Sequence, residues 1–314
     1  MSVLDQLEPQ TRAYVETLLR TGGKPLQELS VEDARQFMRD RQRTPLEHPS
    51  VAVETTHAAG VTLTIVRPAH LAGPLPAVLY MHGGGWVLGG IDTHARLVRE
   101  LALRSNAAIA FPHFALSPES RFPVALDQCI AALKWLREHA ADHAIDPTRL
   151  AIAGDSAGAN LAAAVALHDA PAGPKLRLQA LLCPVLLAPA DSGSYAEFAN
   201  GLNLTRDAMH WFWDHYAPDA TLRSDPRISP LLAPGDALAR VAPAFVITAE
   251  CDVLRDEGEA YAHRLTQSGV PVTAMRFFGV IHNFYVLDDL AGSGPSQSAL
   301  RITGDALKAA LYSK

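Results

Sequence analysis

The chain has 314 residues, of which 48% are apolar and 19% charged. That mix excludes a disordered chain and suits one large α/β domain with an insertion, or two small domains. A net charge of -6 excludes the basic footprint of a nucleic-acid binder.

The first ten residues, MSVLDQLEPQ, carry neither a basic region nor an apolar run, so no signal peptide is expected. No apolar stretch reaches the roughly 20 residues that span a bilayer. Cys129, Cys183 and Cys251 are sparse and lack a CxxC pair, which reads as small core residues in a reducing compartment. The expectation is a cytoplasmic protein with no membrane and no nucleic-acid partner.

Leu4, Leu7, Tyr14, Val15, Leu18 and Leu19 recur at helical spacing, with Gly22-Gly23 as the stop. Ser30 caps a second helix, Val31 to Met38. Two strand-like runs follow, Val51–Thr55 and Val61–Arg67. From Pro76 the pattern changes. Pro76–Met81, Ala107–Phe111, Leu150–Ala153, Leu178–Cys183 and Phe245–Ala249 are short apolar runs, as in strands buried on both faces. Helical patterns lie between most of them, at Thr93–Leu103, Pro123–Glu138, Ala157–His168 and Glu257–Ser268. This alternation predicts a mostly parallel sheet with helices on both faces. It fails at 185–240, where Tyr195, Phe198, Trp211, Phe212, Trp213 and Tyr216 crowd together. The predicted organisation is therefore N-terminal helices over 1–45, a catalytic domain over 46–184 and 221–314, and an insertion over 185–220.

Gly154-Asp155-Ser156-Ala157-Gly158 matches G-x-S-x-G between a predicted strand and a predicted helix. That context sets Ser156 on a sharp turn, with a helix N-terminus beside it to favour a developing anion. His82-Gly83-Gly84-Gly85-Trp86 follows the strand Pro76–Met81. Its glycines let backbone N–H groups converge on a substrate oxygen. It has neither the Lys-Ser/Thr of a P-loop nor G-x-G-x-x-G spacing. Among 13 histidines, His282 stands out, since it follows the strand-like Val272–Phe278 near the end of the chain. The chain order Ser, acid, His requires an acid between, and Glu250 and Asp252 both follow the strand Phe245–Ala249. His139 and His143 lack the glutamate of a zinc protease, and no residues have catalytic metal spacing, so neither a metal nor an organic cofactor is expected.

Four motifs together, H-G-G-G-W, G-D-S-A-G, D-x-L-R-D-E-G from Asp252 and G-x-x-H-N-F from Gly279, resemble the bacterial hormone-sensitive-lipase-like esterases. The resemblance runs over about residues 75–290. It implies the α/β-hydrolase fold and a triad of Ser156, Asp252 and His282. It further implies an oxyanion hole from the N–H groups of Gly84, Gly85 and Ala157, with Gly83 next to them. A cap made of the N-terminal helices and the 185–220 insertion is also implied. The chain departs from the family at Phe114–Glu119, where the usual arginine is absent, at Val253 in place of proline, and at Asn283 in place of glycine.

These residues predict a serine carboxylesterase acting on small esters of short or medium acyl length. Trp86, Asp155, Tyr195, Phe198, Leu204, Trp213, Val280, Ile281 and Phe284 are the expected substrate-pocket residues. An amidase or deacetylase would use the same triad. A non-catalytic ligand-binding protein on this fold would lack the base, which this chain keeps as His282. The strand Val272–Phe278 is a candidate edge for homodimer pairing.

Overall fold

Continuous apolar runs flanked by amphipathic helices leave few ways to bury both, and the computed structural model shows a parallel-sheet solution. It describes residues 3–169, 176–188, 192–200 and 202–313. The elements in chain order are α1 (Pro9–Thr21), α2 (Val31–Asp40), β1 (Val51–Ala58), β2 (Val61–Pro68), β3 (Leu75–Met81), α3 (Ile91–Ser105), β4 (Ala108–Pro112) and α4 (Val124–His139). Then come β5 (Ile145–Asp155), α5 (Ala157–Asp169), β6 (Gln179–Leu182), α6 (Gly193–Glu197), α7 (Arg206–Tyr216) and α8 (Gly235–Leu238). The chain ends with β7 (Ala244–Cys251), α9 (Arg255–Gln267), β8 (Val272–Ile281) and α10 (Gly294–Tyr312).

The strands form one sheet in the order β1-β2-β4-β3-β5-β6-β7-β8. The β1–β2 and β2–β4 pairs are antiparallel and the other five are parallel. Every residue of β3, β4 and β6 is buried, so both sheet faces are covered there. Helices α3 and α10 pack together on one side, and α4 and α5 on the other. At the edge, β8 is largely exposed, with Phe278 at 68%. No described helix is long and apolar enough to cross a membrane.

Each predicted strand is present, though β5 starts five residues before Leu150, at Ile145. Helix α10 carries no strong sequence mark, and the motif-led reading passes over it. The two N-terminal helices are present, but Pro9 starts α1, so Leu4 falls in a separate 3-10 turn over Val3–Gln6 and Leu7 between the two. Ser30 accepts a hydrogen bond from the Asp33 N–H at 3.1 Å, and Gly22 ends α1 at φ 63°.

Helix α5 packs on β5 and β6 and also approaches β3 closely. A Cβ added at Gly158 would lie 2.1 Å from the Met81 carbonyl oxygen. Glycine there lets the helix start directly against the sheet. This closeness places the β5–α5 turn at the carboxyl ends of the parallel strands, where α/β folds collect their sites.

Candidate active site

Ser156 occupies the turn between β5 and α5 at φ 55°, a left-handed conformation that a serine adopts only when its surroundings hold it there. Its N–H donates to the Leu182 carbonyl at 2.9 Å. Its Oγ lies 2.9 Å from His282 Nε2, and His282 Nδ1 lies 2.7 Å from Asp252 Oδ2. All three residues are buried to 5% exposure or less. The other Asp252 oxygen accepts the Leu254 N–H at 3.0 Å, so the carboxylate is fixed before it meets the ring.

Glu250 has a different task. Its Oε2 accepts the Gly279 N–H at 2.7 Å, at the bend of β8 just before His282. The chain direction explains the division of labour: β7 ends at Cys251, and Asp252 is the first residue free of the ladder.

The glycine loop faces the serine. Gly84, Gly85, Ser156 and His282 all line one cavity. Among the described residues the N–H groups of Gly84 and Gly85 have no partner. Ala157 opens α5, so its N–H has no preceding helical turn to bond. Gly83, expected beside these donors, is engaged elsewhere. Its N–H donates to Asp155 Oδ1 at 3.0 Å, which turns it away from a substrate oxygen. A Cβ at Gly83 would lie 2.2 Å from Asp155 Oδ2, so only glycine fits.

Asp155 is a buried hub rather than a pocket residue. It accepts from the Tyr80 hydroxyl at 2.6 Å, from the Gly83 N–H, and from Asn283 Nδ2 at 3.0 Å. His94 Nε2 lies 3.4 Å away. Burial opposes its charge, but the His94 ring and these donors hold its carboxyl below the usual range. His82 bonds the Gly83 carbonyl through Nδ1 at 2.7 Å and stacks on Phe114, with centroids 4.4 Å apart. Burial pushes its pKa down to about 3, so it is a neutral strut.

Cys183, Asp252 and His282 present ligand atoms within 4.8 Å of one another. The Asp252–His282 bond already occupies two of them, and burial together with the Asp252 charge pushes the Cys183 thiol well up. A thiolate ligand is therefore disfavoured at the one such cluster among the described residues.

Glu119 pairs with Arg35 of α2 at 2.7 Å, and Arg35 Nε also donates to the Val87 carbonyl at 2.9 Å. The N-terminal helices are thereby tied to the segment that follows the glycine loop.

The expected pocket residues are placed less well by the sequence. Leu204 lines the cavity. Trp86 instead stacks on Tyr216, with centroids 4.3 Å apart, and Trp213 lies tilted against Trp86 at 4.5 Å. Tyr195 and Phe198 are buried around α6, and Arg255 covers the Phe198 ring at 5.2 Å. Val280 and Ile281 end β8 inside the core, and Phe284 packs on Phe277 and Tyr285. Large side chains gain more from full burial than from facing a cavity. The wall is built from Leu18, Leu26, Leu29, Phe37, Met38 and Phe212, with a volume of about 320 Å³. Most of these lie in the N-terminal segment, where helical periodicity alone does not say which face meets the site.

The family profile described as α/β hydrolase fold matches residues 78–286. The chain belongs to that family. Relatives named as carboxylesterases place it with the hormone-sensitive-lipase-like esterases. Carboxylesterase NlhH of Mycobacterium tuberculosis is 38% identical over 81% of this chain and 82% of its own length. An ethyl acetate hydrolase of Pseudomonas putida is 35% identical over 88% of this chain and 92% of its own. Among solved structures, a thermostable esterase of Pseudomonas putida ECU1011 superposes with a TM-score of 0.95 at 43% identity, covering 98% of this chain and 99% of that one.

Proposed function

We propose that Ser156 is the nucleophile, His282 the general base and Asp252 the acid that orients it, in hydrolysis of small carboxylic esters of short to medium acyl length. The reaction class is carboxylic-ester hydrolysis. The observation that carries the residue roles is the unbroken chain Ser156 Oγ–His282 Nε2–Asp252 Oδ2 at 2.9 and 2.7 Å, facing the free glycine-loop N–H groups.

In this mechanism His282 Nε2 takes the Ser156 proton as Oγ bonds to the ester carbonyl carbon. The carbonyl oxygen becomes an anion that the N–H groups of Gly84, Gly85 and Ala157 stabilise. Imidazolium forms beside Asp252, which keeps its charge and holds Nδ1–H. The proton then passes to the departing alkoxide and leaves an acyl-serine. Water, deprotonated by the same ring, releases the acid and restores the serine.

A cap formed by α1, α2 and the 185–220 insertion is part of the proposal. Its support is that Leu18, Phe37, Leu204 and Phe212 face the same cavity as Ser156. A cavity of about 320 Å³ suits a short chain. The proposal extends to homodimer pairing along β8, supported by its exposed Met275 and Phe278, and to a cytoplasmic setting, supported by three unpaired buried cysteines.

The test is a series of 4-nitrophenyl esters run beside 4-nitroanilides with the purified chain and Ser156→Ala. Esters should turn over, and the variant should lose at least about 10⁴-fold in kcat while its circular dichroism is unchanged. Wild-type turnover in the variant, or a preference for the anilides, overturns this reading.

A further inference from the structure

The cavity above Ser156 has a charge pattern that the triad does not use. Lys24 and Arg41 line it, and among the described residues no aspartate or glutamate does. The chain as a whole has 33 acidic residues and a charge of -6, so this wall runs against the average surface.

Arg41 follows the last turn of α2. Its guanidinium lies over the rings of Phe37 and Tyr14, 5.0 and 5.3 Å from their centroids, and donates to the Tyr14 hydroxyl. Burial pushes the Tyr14 phenol up to about 12, so Tyr14 brings no charge to the pair. The neighbouring arginines are satisfied differently: Arg35 holds Glu119 and Arg96 holds Asp288. Arg41 holds no carboxylate among the described residues. The acids nearby are otherwise engaged or turned to solvent. Asp288 accepts from Arg96, from the Arg43 and Thr44 N–H groups and from the Thr44 hydroxyl. Asp40 and Asp289 are exposed. Lys24, in the loop after α1, forms no ion pair among the described residues and faces the same cavity.

A guanidinium clamped between two rings loses little freedom when it binds, and its planar fork matches a carboxylate. Two cations that hold no carboxylate among the described residues raise the local potential for an anion and repel a cation, even with the exposed Asp289 charge near Tyr14.

We propose that the outer part of this cavity binds an anionic group, so that the preferred substrates are esters carrying a carboxylate away from the scissile bond. The proposal rests on the esterase reading of Ser156 and names the substrate class of that site.

Two matched pairs test it, one for each side of the ester. The 4-nitrophenyl monoester of adipic acid is compared with its neutral monoamide, and 3-acetoxybenzoate with 3-acetoxybenzamide. Rates are corrected for uncatalysed hydrolysis. In at least one pair the carboxylate should show about tenfold higher kcat/KM at low ionic strength, shrinking in 0.5 M salt. Lys24→Gln and Arg41→Gln should each lower that ratio, and the double variant should bring it to about one. A ratio of one or less in both pairs overturns the proposal, as does a ratio that survives the double variant. Binding to Ser156→Ala, measured by calorimetry, keeps the two readings apart. If no ester is turned over, the esterase reading fails. If the Ser156→Ala protein binds carboxylate and amide of both pairs equally, the anion site fails.

Discussion

The floor of the cavity and its walls are held by different physics. On the floor, Asp155 ties three separate segments together through buried polar contacts: Gly83 in the glycine loop, Tyr80 in β3, and Asn283 beside the base. The walls are apolar faces of α1, α2 and the segment around α7, brought together by packing. A polar lattice of this kind tolerates little displacement, because each buried group left without a partner costs about 1–3 kcal/mol. An apolar wall tolerates changes of shape at a graded cost. Substitutions on the floor should therefore damage turnover, and those on the wall should change which ester is turned over.

The largest effect belongs to the acid. Asp252→Asn should lower kcat by about 10³–10⁴-fold, because an amide favours the wrong tautomer of His282. Glu250→Gln should cost about tenfold or less, since the Glu250 carboxylate accepts the Gly279 N–H rather than orienting His282. Both are read from kcat with a circular dichroism check. A more damaged Glu250→Gln enzyme, still folded, would overturn the assignment of Asp252.

Next comes the floor itself. Gly83→Ala sets a methyl group 2.2 Å from Asp155 Oδ2, so the loop or the carboxylate must move. A loss of about 10²-fold in kcat is expected, with KM for neutral esters changed less than threefold. A large rise in KM with kcat intact would mean that this loop binds substrate without stabilising the transition state.

These contrasts follow what was legible in the sequence. The floor is made of residues adjacent in the chain to glycine-rich turns, and chemistry demands their types at close spacing. G-D-S-A-G and H-G-G-G-W therefore declare themselves. Asp252 is favoured over Glu250 by resemblance and by the shorter reach of its side chain, and the structure adds a reason: β7 runs to Cys251 and frees Asp252 just beyond its end. The wall is less legible, because an aromatic residue close to the site in sequence can use its size on its neighbours instead of on the cavity. Trp86, Trp213 and Tyr216 spend that size on one another. The residues that do face the site, such as Leu26 and Phe37, come from more than a hundred positions before Ser156. Their role depends on how α1 and α2 dock, which Arg35 settles through Val87 and Glu119.

Asn283 sharpens the comparison because it belongs to the floor yet departs from the family glycine. It sits at φ 57°, where asparagine is among the few tolerated residues with a side chain. That side chain donates to Asp155 and accepts from the Tyr285 hydroxyl at 3.0 Å. Asn283→Gly should relieve the backbone while cutting the tie between the base loop and the hub. The expected result is a melting temperature within about 2 °C of the parent and a kcat lower by about three- to tenfold. An unchanged kcat would mean that the tie does nothing for catalysis.

The smallest effect is expected at the wall. Leu204 was anticipated in the pocket and does line it, at 9% exposure. Leu204→Ala removes three carbons from a surface that the acyl chain would meet. A buried methylene gains about 0.8 kcal/mol, or roughly fourfold, until the pocket is full. The variant should therefore extend the acyl optimum by about two carbons. Its ratio of kcat/KM for octanoate over butyrate esters should rise severalfold, with butyrate turnover changed less than about threefold. The cost falls on stability instead, at about 2–3 kcal/mol from the lost packing, which is read from denaturant melts. If the acyl optimum stays put while stability falls, Leu204 supports the cap without touching the chain. If butyrate turnover falls as steeply as in Gly83→Ala, wall and floor are coupled, and the division between them drawn from Asp155 and the apolar faces does not hold.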